Sequence, residues 1–158
     1  NKNKNLITSD SLIGQFPQNM TNIVLAEKEL CLKLPDSYKN FLNDFGKMAF
    51  GGEYIDGLDD KEEFQNYRSS NIICNTLEER NTNTDPKFPS SFVVIYDLGN
   101  GEKYCLDTAQ MNAEGECPVV GWYFGRIEKI YEDFGEFFLD TVKAGLKSLE
   151  EDGNMVKW

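Results

Sequence analysis

Histidine is absent from the chain. That removes Ser–His–Asp and Cys–His catalysis, histidine acid–base chemistry and His-ligated zinc together. Basic residues are scarce: 16 Lys and Arg stand against 27 Asp and Glu, for a net charge of −11. With no concentrated basic patch, a chain this acidic is not expected to hold a nucleic-acid backbone. Long apolar runs are also missing. The longest, such as Phe92 to Tyr96, reach about five residues, against the roughly 20 needed to cross a bilayer. The start, Asn1-Lys2-Asn3-Lys4-Asn5, is polar, and no apolar signal segment follows it. Position 1 is Asn rather than Met, so the chain reads as a fragment or a processed product, with room for residues upstream.

Cysteine is sparse. Cys31, Cys74, Cys105 and Cys117 show no C-x-x-C spacing. Four cysteines could form two disulfides in a secreted protein. Each, however, lies in an apolar or strand-like stretch, and a chain of 158 residues needs no staples. The favoured reading is four reduced, mostly buried thiols in a cytoplasmic protein, with no metal and no cofactor.

What is present is a globular composition. Hydrophobic residues are 40% and aromatics 13%, with eleven Phe and seven Tyr, enough for a core that buries about two-thirds of the unfolded surface. No repeat, linker or low-complexity block divides the chain, so one domain over 1–158 is expected. Residues 1–18 read as weakly ordered, although Leu6, Ile7, Leu12, Ile13 and Phe16 could dock a short helix; 150–158 read as a frayed tail.

Periodicity places the elements. A helix is expected over 22–32, its stripe ending at Leu34-Pro35, because proline cannot continue a helix. A second is expected over 36–45: Tyr38, Phe41, Leu42 and Phe45 fall at helical spacing, Asp36 suits its positive end and Gly46 its stop. Gly51 to Leu58 reads as one short strand between glycine turns. A helix over 70–80 would be capped by Ser69 or Ser70, with Ile72, Ile73 and Leu77 on its apolar side. Strands follow at 92–96 and 102–107, joined by a Gly99-Asn100-Gly101 turn, then at about 118–124 and 126–131. A last helix over 133–150 puts Phe134, Phe137, Phe138, Val142, Leu146 and Leu149 on one face. Strands flanked by helices predict an α+β fold: a mostly antiparallel sheet with helices packed mainly on one side.

Several motifs have competing readings. Glu53, Asp56, Asp59, Asp60, Glu62 and Glu63 form an acidic stretch against Lys61 alone. Its readings are a calcium site, although the spacing is not that of an EF-hand; paired hydrolytic carboxylates; a solvated loop; and a surface for a cationic partner. The final helix region carries eight acids, Glu128, Glu132, Asp133, Glu136, Asp140, Glu150, Glu151 and Asp152, against Lys129, Lys143 and Lys147. This is either the wet side of an amphipathic helix or an acidic contact face. Gly121-Trp122-Tyr123-Phe124 would alternate on a strand, with Tyr123 opposite Trp122 and Phe124. Core packing and a Tyr123 contact at a binding surface are the two readings. Gly99-Asn100-Gly101-Glu102-Lys103 lacks the full phosphate-loop pattern and reads as a hairpin turn. Asn19-Met20-Thr21 fits a glycosylation sequon, which has no consequence in a cytoplasmic chain.

Leu34-Pro35-Asp36-Ser37-Tyr38-Lys39-Asn40-Phe41-Leu42 resembles the Leu-Pro-x-x-Tyr-x-x-Phe-Leu signature of the SUKH superfamily, the Smi/Knr-like proteins. Gly51-Gly52 and Ile55-Asp56-Gly57-Leu58 resemble its next block. Val93-Val94-Ile95, Tyr104 to Thr108, Glu116 to Val120 with Trp122, and Phe134 to Leu139 resemble its strands and closing helix. Two positions depart from the pattern: Phe45-Gly46-Lys47 replaces an Asn-Gly-Gly turn, and Cys31 stands where the family often has Gly. The resemblance implies a non-enzymatic SUKH-like α+β fold. It also implies, in the bacterial branch, a cytoplasmic immunity protein that occludes a cognate toxin domain, often a nuclease. Fungal relatives imply the alternative, a regulatory or scaffolding domain with a non-toxin partner. The expected partner surface is Glu53, Asp56, Asp59, Asp60, Glu62, Glu63 and Tyr123, with no nucleic acid, membrane or metal bound.

Overall fold

A computed structural model describes residues 17–58 and 71–151. The readings made for 1–16, for Ser69 and Ser70 and for 152–158 lie outside the described residues. Gln18 is not loose as expected: it is buried, its backbone N–H donates to Leu42 O at 2.9 Å, and its amide donates to Leu58 O.

Helix α1 spans Met20–Leu30 and buries Ile23, Ala26 and Leu30. The sequon asparagine is its cap: the Asn19 side chain accepts from the Asn22 N–H at 2.9 Å. The helix stops before Pro35, at Cys31, which lies in the left-handed region at φ 55° and ψ 40°. Cys31 N–H bonds Lys28 O and Leu32 N–H bonds Glu27 O, the paired bonds of a Schellman ending, where glycine is usual. The departure at Cys31 therefore leaves the loop geometry intact. A left-handed non-glycine residue costs about 1–2 kcal/mol, offset in part by the larger unfolded-state entropy of glycine. Cys31 is exposed and packs little. Cys31→Gly is expected to raise stability by about 0.5–1 kcal/mol in a urea titration, while Cys31→Ala gives no gain. Equal stabilities for the Gly and Ala variants would refute the strain argument. Beyond this corner, buried Glu27 accepts from the Leu34 N–H and from Lys33 Nζ, both at 2.9 Å, and so fixes the turn into the next helix.

Helix α2 spans Asp36–Asp44, following Pro35 at φ −65°. Tyr38, Phe41 and Leu42 are buried, as their spacing predicts. Its free N-terminal donors are met from far along the chain. The Glu116 carboxylate accepts from the Ser37 N–H at 2.9 Å and from the Ser37 hydroxyl, and Gly115 O accepts from the Asp36 N–H. The single strand expected over 51–58 is instead a hairpin. Strand β1, Met48–Phe50, pairs with β2, Glu53–Ile55, around Gly51-Gly52. Helix α3 spans Ile72–Asn81 and is capped by Asn71, whose side chain accepts from the Ile73 and Cys74 N–H groups. Ile72 is buried and Ile73 and Leu77 half-buried.

Strands β3 (Phe92–Asp97), β4 (Lys103–Asp107), β5 (Val119–Tyr123) and β6 (Arg126–Tyr131) form an antiparallel meander in chain order. The edge strand β3 is covered: Thr76 on α3 accepts from the Val94 N–H at 3.0 Å, and Asp56 N–H donates to Ile95 O at 2.8 Å. Alternation divides the sheet between two cores. Val93, Leu106 and Val119 join α1, α2 and α4 in the main core; Phe92, Val94, Cys105, Val120 and Trp122 form a smaller one with Phe88.

Helix α4 spans Phe134–Glu151. Asp133 accepts from the Glu136 N–H at 2.9 Å at its start. The buried stripe is Phe134, Phe137, Thr141 and Gly145. Phe138 and Val142 are only half-buried, and Leu146 is 43% exposed, contrary to expectation. The stripe advances by three and then four residues along the helix, which turns Leu146 to solvent. Glycine at 145 lets Phe50 and the β1–β2 turn approach the helix backbone. Among the described residues no helix is long and apolar enough to cross a membrane, and no group of three or more Cys, Asp or Glu could hold a metal ion. The four cysteines are unpaired. Cys105 and Cys117 are buried, Cys74 is half-buried, and Cys31 is exposed rather than buried as expected.

Candidate partner-binding site

One row of the sheet runs Tyr96, Tyr104, Gly121, Glu128 across all four strands. The register shift between Val94 and Tyr96 turns Tyr96 to the same face as Tyr104. Together with Tyr131 and Phe137, these tyrosines line a cleft of about 230 Å3 between the sheet, β2 and α4. Phe137 is its hub. Its ring meets Tyr96, Tyr104 and Tyr131 edge-on, with centroids at 6.3, 5.9 and 5.6 Å. Tyr96 and Tyr104 lie 5.7 Å apart with planes tilted by 31°.

Carboxylates surround these rings. Tyr96 donates its hydroxyl proton to Glu53 Oε2 at 2.9 Å, and Tyr131 donates to Asp140 Oδ2 at 2.7 Å. Burial and the Glu53 bond push the Tyr96 phenol up to about 12. Burial and Asp140 raise Tyr131 as well. Tyr104 is raised by burial and then by the charges of Glu102, Glu53, Asp140 and Glu128. The largest charge effects on Tyr104 thus all come from carboxylates, and all three phenols stay neutral donors near neutral pH. Among the described residues no Lys or Arg forms an ion pair with any of these four carboxylates. The arrangement is an aromatic cleft in a negative field, suited to a cationic group and hostile to an anion.

A family model, SUKH_5, described as SMI1-KNR4 cell-wall, matches residues 2–143. The chain belongs to the SUKH superfamily. In this SUKH chain the signature residues Pro35, Tyr38 and Phe41 serve as helix start and core, as expected.

The residues expected on a partner surface do not all meet. Glu53 stands in the cleft. Asp56, expected at the surface, is 5% exposed: its carboxylate accepts from Asn75 Nδ2 and its carbonyl from the Tyr38 hydroxyl, so it ties α2 and α3 together. Asp59, Asp60, Glu62 and Glu63 lie outside the described residues. Glu128 belongs to β6 and Asp140 to α4, so the acids of the final stretch are split between sheet and helix, and these two converge on Tyr104. Tyr123 is exposed elsewhere, at the end of β5. The aromatic run does not alternate to its end, because the strand stops there. Phe124 and Gly125 turn the hairpin with φ of 45° and 87°. Phe124 is 67% exposed and packs on Tyr123 with ring centroids 4.8 Å apart. Such a turn favours Asn-Gly, so the exposed Phe124 is held in a costly backbone position. Tyr96, Tyr104 and Tyr131 were missed from sequence. Each is a strand tyrosine, but only the register shift shows that they share a face.

Proposed function

We propose that this SUKH protein is an immunity protein: it binds a cognate toxin domain, a nuclease in the expected case, and blocks it by stoichiometric occlusion through its acidic surface. The observation that carries this reading is the aromatic cleft lined by Glu53 and Asp140, with the charges of Glu102 and Glu128 also acting on its Tyr104, on a chain of net charge −11. A nuclease must hold phosphates, so its active surface is cationic, and an acidic protein competes for that surface. Catalysis by the chain itself has little support. It has no histidine, and burial pushes the Cys117 thiol up to about 12 and raises Cys105 further, leaving both as poor nucleophiles.

Long-range attraction between opposite charges accelerates encounter and is screened over about 8–10 Å at physiological salt. Glu102→Lys with Glu128→Lys should therefore slow association with the toxin domain by about tenfold or more at low salt. Dissociation should change less. The loop reversal Asp59, Asp60, Glu62 and Glu63 to Lys tests the other acidic segment in the same way. Circular dichroism checks that both variants stay folded; Glu102 and Glu128 form no ion pair among the described residues, so their reversal should cost little stability. The measurements are stopped-flow association and toxin protection in cells. Full protection and unchanged kinetics in both folded variants would reject the reading.

The second reading is a regulatory or scaffolding domain that binds a cellular protein unrelated to toxins. The description of the matching family, which names the cell wall, favours it. Recovery of the tagged protein from its own cells with a cell-wall regulator, and with no toxin domain, would select it.

A further inference from the structure

We propose that the tyrosine cleft is a socket for one arginine side chain of the partner protein; this rests on the partner-binding reading above and names what that partner inserts. The cleft holds about 230 Å3. Pockets for drug-sized ligands run to about 300–1,000 Å3, so this one suits a single long side chain rather than a folded segment.

The lining selects the chemistry of that side chain. Three tyrosines, held around the buried Phe137, supply ring faces and edges for a flat group. Glu53 and Asp140 each spend one oxygen on a tyrosine hydroxyl and keep the other for a donor. Those tyrosine bonds also fix the two carboxylates, which come from β2 and α4, before anything binds. Tyr104 lies between them, and its hydroxyl makes no hydrogen bond among the described residues. A guanidinium is planar, carries five donors, stacks on aromatic rings and is more weakly hydrated than an ammonium. It meets the rings and the split carboxylates together. A lysine ammonium would meet the charge and a ring face, but as a compact point charge it can neither stack flat nor span the split carboxylates. An anion would face the carboxylates of Glu53 and Asp140, and a neutral group would leave their field uncompensated.

The test uses the full chain and tripeptides as probes: acetyl-Gly-Arg-Gly-amide and its lysine and citrulline counterparts, titrated while the tyrosine ring resonances are followed by NMR. The arginine peptide should shift the rings of Tyr96, Tyr104 and Tyr131. It should bind about tenfold more tightly than the citrulline peptide, a gap of about 1.4 kcal/mol, and more tightly than the lysine peptide. Glu53→Gln and Asp140→Asn should each weaken arginine binding by about tenfold while sparing the fold. Glu102→Gln, which breaks no hydrogen bond to the rings, should weaken it less and give a check free of local rearrangement. Equal binding by citrulline, equal binding by lysine, or shifts that bypass these three rings would each overturn the socket. Arginine binding in a protein that fails to protect against a toxin would reject the immunity reading and keep the socket. Protection without arginine binding would do the reverse.

Discussion

Phe137→Ala is expected to remove about 3–5 kcal/mol of stability, the cost of truncating a buried Phe and leaving a cavity. The side chain is 1% exposed and packs against four rings, those of Phe134, Tyr96, Tyr104 and Tyr131. Those partners come from β3, β4, the end of β6 and α4 itself, so the hole would open where the sheet meets the closing helix. Two of these rings are held from another side and resist moving into it: Tyr96 by Glu53 and Tyr131 by Asp140. For a domain with about 5–15 kcal/mol in all, this is a large share. Phe138→Ala should cost clearly less. Its sequence spacing predicts a buried residue and a loss of several kcal/mol, but the ring is only half-buried and touches Phe41, Phe45 and Phe134 at the rim of the core. Urea unfolding of both variants checks the order. A Phe137→Ala loss below about 1 kcal/mol, or a larger loss for Phe138→Ala, would contradict the packing described. The same change should empty the cleft of its central ring and abolish arginine binding in whatever fraction remains folded.

The helices were legible because their apolar residues recur at helical spacing: α2 follows from Tyr38, Phe41 and Leu42 behind a proline, and α4 from Phe134 and Phe137. The β3–β4 hairpin was legible because Gly99 and Gly101 both take positive φ between two apolar runs. What sequence could not show are long-range facts. Strand β1 is Met-Ala-Phe, too short to carry a period, and exists through its pairing with β2. Glu116 caps a helix through Ser37, 79 residues earlier. Asp56 looks like its acidic neighbours until Asn75 and Tyr38 are seen to bury it. The candidate site was half legible for the same reason. Acid content marked Glu53, Glu128 and Asp140, but the tyrosines between them are gathered by a register shift that no local pattern encodes.

The resemblance to the SUKH signature has a physical counterpart in one crossing, and it yields the second large effect. The Leu-Pro helix ends at Asp44, and the Ile55-Asp56-Gly57-Leu58 block passes directly over Gly46, just beyond it. Leu58 N–H donates to Gly46 O at 3.1 Å, and the Tyr38 hydroxyl donates to Asp56 O at 2.6 Å. The block is held from its other side as well. Asp56 N–H bonds Ile95 O, and Gly57 O accepts from Ile72 N–H at 2.9 Å. Backbone therefore meets backbone, with no side chain between to yield. A Cβ at Gly57 would lie 1.6 Å from Gly46 O and 2.7 Å from Gly46 C. Gly57→Ala must separate the two segments, breaking bonds to β3, α2 or α3 as it does so. Overpacking of this kind costs typically 1–3 kcal/mol and more where rigid atoms oppose each other, so about 3 kcal/mol or more is expected. At roughly 2–4 °C per kcal/mol, the melting temperature should fall by about 6 °C or more. Gly52→Ala separates space from conformation. Gly52 has φ of 84° with nothing within 4 Å of an added Cβ, so its variant should lose only about 1–2 kcal/mol, the left-handed penalty alone. If Gly57→Ala melted within a degree of the parent chain, or no lower than Gly52→Ala, the crossing could not be what the two signature blocks hold in place.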